Sequence, residues 1–233
     1  MQEEAGQGKL SIVATPIGNL EDITLRALRV LKEADAVYCE DTRVTKKLLD
    51  RYEIQTPTRR LDANIEAKGA REVINRLAAG ERIAYATDAG TPAISDPGYR
   101  LVAMVRQALG DSFPIEAIPG PSALVAALSI AGVPADSFRF MGFFPHKKGR
   151  QTALKAVAAE EGTVVLYESS HRILKLLREL EALMPEREVV ITRELTKKFE
   201  QVAVGRLSGL ADFFETHYPH FTKGEFVVVL APC

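Results

Sequence analysis

Thr87-Asp88-Ala89-Gly90-Thr91-Pro92-Ala93-Ile94-Ser95-Asp96-Pro97-Gly98 follows directly on the apolar run Arg82-Ile83-Ala84-Tyr85-Ala86 and leads into Tyr99 to Leu109. The apolar run reads as a buried strand, and Tyr99 to Leu109 has helical periodicity. Two glycines, two prolines and two aspartates therefore sit where a strand feeds a helix. Open α/β sheets place their ligand crevices at such strand ends. The segment is too long and too polar for a plain connector, and its small residues let a ligand approach the backbone closely.

Outward from this loop, strand and helix signals alternate. Lys9 to Thr15 reads as a short strand closed by Pro16, Gly18 and Asn19. Leu20 to Ala34 carries Ile23, Ala27, Leu28 and Leu31 on one helical face, with Asp22 suited to the helix's positive end. Ala36 to Cys39 is a second strand, followed by Glu40-Asp41-Thr42-Arg43 and a helix through Leu49. Glu66 to Ala79 reads as a helix, Pro114 to Ile118 as a strand, and Pro119-Gly120-Pro121-Ser122 opens a helix over Ala123 to Ala131. This order predicts a mostly parallel sheet wrapped by helices. From Phe138 the texture changes. Strands dominate over Phe138 to Phe144, Thr163 to Tyr167, Glu188 to Thr192, Phe199 to Gly205 and Glu225 to Leu230. Helices fall near 151–160, 171–183 and 208–216, which suits a second α/β domain with mixed or antiparallel strands. The expected organisation is a flexible leader over 1–8, an N-terminal α/β domain over 9–118 and a C-terminal α/β domain over 119–233.

The 233 residues suffice for one large or two modest cores, and 30 basic residues nearly cancel 31 acidic ones. The chain as a whole is not a general polyanion binder, although a local basic face remains open to it. Of its two cysteines, Cys39 lies in an apolar strand and Cys233 ends the chain. No disulfide framework is possible beyond one pair, which suits a reducing cytoplasm. No apolar run approaches the ~20 residues of a membrane span.

The turns Thr15–Asn19, Thr87–Gly98 and Pro119–Ser122 each follow a strand, yet none is a dinucleotide fingerprint or a phosphate loop. HExxH and GxSxG are absent, and His146, His171, His217 and His220 are scattered without a Cys or acidic cluster. What remains is exposed backbone on small-residue loops flanked by Asp88, Asp96 and Ser122. Such loops suit a ligand with an amino-acid end and an adenosine end.

These residues resemble the tetrapyrrole methylase superfamily, and within it the ribosomal RNA small subunit methyltransferase I family. The resemblance is carried by Ala14-Thr15-Pro16-Ile17-Gly18-Asn19-Leu20-Glu21-Asp22-Ile23-Thr24, Glu40-Asp41-Thr42-Arg43, Asp88-Ala89-Gly90-Thr91-Pro92 and Ser95-Asp96-Pro97-Gly98-Tyr99. It continues through Pro119-Gly120-Pro121, Gly142-Phe143 with Pro145, Tyr167-Glu168-Ser169 with His171-Arg172, and Arg193-Glu194-Leu195-Thr196-Lys197. It implies two α/β lobes with S-adenosylmethionine folded into the cleft between them, usually in a homodimer. The implied reaction is 2′-O-methylation of a cytidine ribose in small-subunit (16S) ribosomal RNA, with the assembled subunit as the expected partner. Two departures stand out. Leu61-Asp62-Ala63-Asn64-Ile65-Glu66 lacks the family's usual His, and the chain lacks the C-terminal extension of longer members.

The candidate catalytic residues are Glu40, Asp41 and Arg43, three charged residues leaving one apolar strand together. A carboxylate there, or Glu168 after a later strand, is placed to take the proton of a 2′-hydroxyl. Asp41 reads equally well as the cap of the next helix. The candidate cofactor walls are Pro16, Asp88, Gly90, Ser95, Ser122, Met141 and Glu168, with core packing the rival role for Met141 and loop bracing for Asp96. Candidate RNA contacts are Arg43 with Lys46 and Lys47, Arg59-Arg60, His146-Lys147-Lys148-Gly149-Arg150, and Arg193 with Lys197-Lys198. Two rival functions are methylation of a precorrin-type macrocycle and non-catalytic, ribosome-associated binding of S-adenosylmethionine.

Overall fold

The computed structural model describes residues 8–61, 67–217 and 224–233. The chain divides after Ser122 into two compact units, taken here one at a time.

The first unit is built on a parallel sheet in the order β3-β2-β4-β1-β5. Its strands are β1 (Lys9–Val13), β2 (Ala36–Cys39), β3 (Thr58–Arg60), β4 (Arg82–Ala86) and β5 (Ile115–Ile118). β2 and most of β4 are buried without alternation, as strands covered on both faces must be. Side chains still segregate by parity. Leu10, Tyr38, Ile83 and Tyr85 pack with Val73, Leu77, Leu101 and Val105 of α3 (Ala67–Ala78) and α4 (Gly98–Leu109). Val13, Val37, Ala84 and Ala86 pack with Ala27, Leu31, Leu48 and Leu49 of α1 (Leu25–Glu33) and α2 (Thr42–Arg51) on the other face. The chain leaves β1 toward β2 on one side and β4 toward β5 on the other, so neighbouring β1 and β4 form the topological switch point.

Three local expectations change. The helix expected over 20–34 is broken: Leu20–Asp22 forms a 3-10 turn, and Thr24 caps α1 by accepting the Ala27 N–H at 3.0 Å. Asp22 therefore precedes the helix. β3 escapes a sequence reading because it is a short polar edge strand, paired only through Val37↔Thr58 to Cys39↔Arg60. Gly8, assigned with the leader, is buried against α3; a Cβ there would lie 2.0 Å from the Leu77 carbonyl oxygen.

The second unit begins with α5 (Ala123–Ala131), whose Leu124 N–H donates to the Tyr167 hydroxyl at 3.0 Å. The preceding Pro119–Ser122 turn goes with the first unit because Thr91 Oγ1 donates to the Pro121 carbonyl at 3.0 Å. The second sheet has the order β6-β7-β10-β8-β9, from β6 (Phe138–Phe143), β7 (Thr163–Ser169), β8 (Glu188–Arg193), β9 (Gln201–Arg206) and β10 (Glu225–Leu230). β6 and β7 run parallel and the remaining pairs antiparallel, the mixed sheet expected of this half. α6 (Arg150–Ala158), α7 (Ile173–Glu181) and α8 (Leu210–His217) contribute Leu154, Leu176, Leu180 and Phe214 to its core. β6 slips register between Phe140 and Phe143, where Gly142 takes φ +63°. No helix among the described residues is long and apolar enough to cross a membrane.

Candidate functional site

Parallel pairing brings the carboxyl ends of β2, β4, β1 and β5 to one edge of the first sheet, and with them all three Gly/Pro turns. They are tied to one another. Thr15 and Gly90 exchange two backbone bonds, N–H to O, of 2.9 and 3.1 Å. The Thr15 hydroxyl donates to the Thr87 carbonyl at 3.1 Å. Gly120 lies against Ala14, where a Cβ would sit 3.0 Å from the alanine methyl. The Asp41 N–H donates to Asp88 Oδ1 at 3.1 Å, joining the end of β2 to the same cluster.

The loop after β4 is strained. Ala93 and Ser95 both hold positive φ, +72° and +66°, a conformation costly to side chains other than glycine. Asp96 braces it by accepting the Gly98 N–H at 2.7 Å, ahead of α4. Gly98 fits there because a Cβ would meet Tyr85 at 2.9 Å and Asp96 at 2.8 Å.

Four carboxylates serve this edge, and their environments differ. Asp41 caps α2, accepting the Arg43 N–H at 2.9 Å, and its two oxygens are also gripped by the Arg43 guanidinium at 2.6 to 3.2 Å. The hydrogen bonds from Arg43 pull its pKa down to about 2. Such an acid is a feeble proton acceptor, and the capping role accounts for it. Glu40 is half-buried, and loss of hydration raises its carboxyl above the usual range, helped by the charges of Asp88 and Asp96. A 2.5 Å hydrogen bond from the Thr87 hydroxyl opposes that rise. Partial desolvation raises Asp88 as well, opposed by the hydrogen bond from the Asp41 backbone N–H. The Tyr85 phenol, fully buried, has no hydrogen-bond partner among the described residues. Burial lifts its pKa first, then Asp96 and Glu40.

This edge holds Pro16, Glu40, Asp41, Arg43, Asp88, Gly90, Ser95 and Ser122. Pro16 and Gly90 are buried, Asp88 and Ser95 exposed, and Ser122 half-buried. The two remaining wall candidates lie in the second unit, each with a packing role. Met141 packs against its hydrophobic core. Glu168 has no exposed surface: its Oε1 pairs with Arg172 at 2.7 Å and accepts the Ser169 N–H at 2.8 Å, while Arg172 also reaches the Phe144 carbonyl. Glu168 Oε2 is buried with no hydrogen-bond partner among the described residues, so only half of the carboxylate is braced.

The basic clusters also sort by partner. Arg150, expected at the surface, is buried and forked onto Glu179, with its plane over Phe144. Lys197 is tied to Glu194 at 2.8 Å and to Glu225 at 3.3 Å, and Arg193 donates to Gln201. Lys46 and Lys47 are exposed on α2 and, among the described residues, enter no ion pair. Arg59, on the adjoining edge strand, is half-exposed and lies 3.2 Å from Glu72. The stretch Asp62–Glu66, with its missing His, lies outside the described residues. Among those described, no group of three or more His, Cys, Asp or Glu could hold a metal ion.

Residues 9–211 match the family model of the Tetrapyrrole (Corrin/Porphyrin) Methylases. A ribosomal RNA small subunit methyltransferase I of Mesorhizobium japonicum is 46% identical over 96% of this chain and 75% of its own. Its namesake from Thermotoga maritima is 41% identical over 96% of this chain and 98% of its own. Among solved structures, a cobalt precorrin-4 methyltransferase superposes with a TM-score of 0.73 at 18% identity, covering 99% of this chain and 98% of that one. A uroporphyrin-III C-methyltransferase of Thermus thermophilus, complexed with S-adenosylhomocysteine, does so with 0.64 at 22% identity, covering 95% and 97%. These two neighbours share the fold.

Proposed function

The chain belongs to the tetrapyrrole methylase family, on its ribosomal RNA small subunit methyltransferase I branch, and from that premise we propose that it methylates the ribose 2′-oxygen of a cytidine in small-subunit ribosomal RNA. One observation carries the choice of substrate: similarity to the ribosomal branch runs through nearly the whole chain, while the macrocycle enzymes share only its fold.

S-adenosylmethionine, when bound, supplies a methyl already activated by its sulfonium. The sheet edge fits that donor. Asp88 and Asp96 raise the cost of ionising Glu40, and a ligand bearing a sulfonium and an ammonium relieves it. Pro16, Gly90, Ser95 and Ser122 supply small-residue backbone beside these carboxylates. Much of the rate comes from alignment of oxygen, carbon and sulfur, worth up to roughly 7–11 kcal/mol in the best intramolecular cases. As the new C–O bond forms and the C–S bond breaks, Glu40 takes the hydroxyl proton, contributing about 10²–10⁴-fold. Its raised pKa suits a base better than that of Asp41. Asp41 and Arg43 hold the turn that presents it.

Lys46 and Lys47, with Arg43 on the same exposed face of α2, supply phosphate contacts beside this edge. The assembled subunit as substrate, a homodimeric enzyme and a cytoplasmic setting complete the reading. The test is label transfer from methyl-labelled donor to unmodified small subunits, with a precorrin-type macrocycle in parallel. Label in the RNA alone supports the proposal. Label in the macrocycle alone selects the first rival, and donor binding without transfer to either selects the second.

A further inference from the structure

The register of the first sheet forces one close contact at its carboxyl edge. Parallel β2 and β4 pair Cys39 with Ala86, so the next residues of the two strands, Glu40 and Thr87, emerge side by side. The Thr87 hydroxyl donates to Glu40 Oε1 at 2.5 Å. Thr87 is itself fixed: it is 6% exposed, and its carbonyl accepts the Thr15 hydroxyl at 3.1 Å. A buried threonine whose backbone is anchored to the turn after β1 cannot follow a carboxylate that swings away. We propose that Thr87 is a positioning residue, holding the Glu40 carboxylate in one orientation and in its ionised form so that it receives the substrate proton.

This role rests on the reading of Glu40 as the base. The charged and titratable groups facing Glu40 are few and mostly acidic. Asp88 and Asp96 come from the loop after β4, Tyr85 from β4 itself, and Cys39 from β2. Asp41, next in the chain, has its charge taken up by Arg43. Burial and the two aspartates favour the protonated form of Glu40, whereas the Thr87 hydroxyl and the Asp88 backbone N–H favour the carboxylate. Removal of the hydroxyl therefore raises the Glu40 pKa and frees its rotamer. A wholly structural threonine would do neither.

The experiment compares pH profiles of kcat/KM for the wild type, Thr87→Val, Thr87→Ser and Glu40→Gln, on small subunits with labelled S-adenosylmethionine. Thr87→Val keeps the side-chain shape and loses the donor; Thr87→Ser restores the donor. In Thr87→Val the acid limb is expected to move up by about one pH unit, as loss of a bond to a charged acceptor requires. Its kcat at neutral pH should fall about tenfold, with donor affinity by calorimetry unchanged within about twofold. Thr87→Ser should return the limb to its wild-type position. An unmoved limb in Thr87→Val, with Glu40→Gln inactive, overturns the role of Thr87 and leaves the base in place. Full activity in Glu40→Gln overturns the base, and the positioning role with it. Should Thr87→Val lack a cooperative melt, Thr87→Ala carries the same comparison.

Discussion

Replacing Gly90 by alanine sets two small energies against each other. Gly90 holds φ +85°, and its N–H and carbonyl close the bridge to Thr15. An L residue in that conformation costs about 1–2 kcal/mol. The added methyl meets Ile17 Cγ2 at 3.3 Å and the Pro121 carbonyl at 3.7 Å, the first tight but at the end of a movable side chain. The bridge it strains consists of two hydrogen bonds, each worth about 0.5–1.5 kcal/mol net. Strain and bridge are thus nearly equal, so the loop can shed the strain by parting from Thr15 without unfolding the sheet. With Gly90 as a wall of the proposed donor site, binding of S-adenosylmethionine to the bridged loop then bears the cost. At 1.4 kcal/mol per decade, 1–2 kcal/mol lowers affinity by about 5- to 30-fold. Isothermal titration calorimetry measures it, beside a thermal melt expected to shift by only a few degrees. Gly90→Val, β-branched and still less tolerant of positive φ, should bind more weakly again. Unchanged affinity in both variants would refute the reasoning, and so would a large loss of stability with affinity intact.

Glu40→Gln should lower kcat by about 10²–10⁴-fold, measured in single-turnover methyl transfer at saturating donor. The Asp41 pKa is depressed when folded, so its stabilising contribution is complete above the ordinary carboxylate range and is lost as pH falls through about 2. Melts of Asp41→Asn between pH 5 and 2 should accordingly lie closer to the wild type at the acid end than at pH 5. Arg187 is buried and donates to the carbonyls of Ala231, Gly162 and Val157 at 2.8, 2.7 and 3.1 Å, which staples three segments of the second unit. Arg187→Met should lower unfolding free energy by about 3–5 kcal/mol in urea, and a loss under about 1 kcal/mol would contradict that role. Charge reversal of Lys46 and Lys47 together should weaken RNA binding and flatten its log-salt slope by at least about 1.4 units, at roughly 0.7–0.9 per phosphate contact.

Much of the site was legible because its signals are local. The apolar run ending at Ala86, the punctuated loop and the periodic helix after it place a strand end with a long polar loop without reference to the rest of the chain. Parallel alternation then implies that the turns after β1, β4 and β5 meet, since all carboxyl ends share an edge. Strand adjacency is not local. Nothing near Glu40 in the chain shows that β2 neighbours β4, so Thr87 as its partner could not be read. The same limit explains the basic clusters. Arg150 and Lys197 look like surface cations until the fold delivers Glu179 and Glu225 from distant positions. The burial of Glu168 escaped a sequence reading for a related reason: its parity on β7 matches Leu166, which points into the core. Its partner Arg172 does stand four residues on, the one signal that was available.

The most direct test of the account asks where on the RNA the methyl group goes. Small subunits methylated by this enzyme from labelled donor are digested with alkali, which cleaves after every free 2′-hydroxyl, and the products are resolved by mass. The account predicts label confined to one alkali-resistant dinucleotide with 2′-O-methylcytidine at its 5′ side. Label released as an ordinary mononucleotide with a methylated base would contradict it.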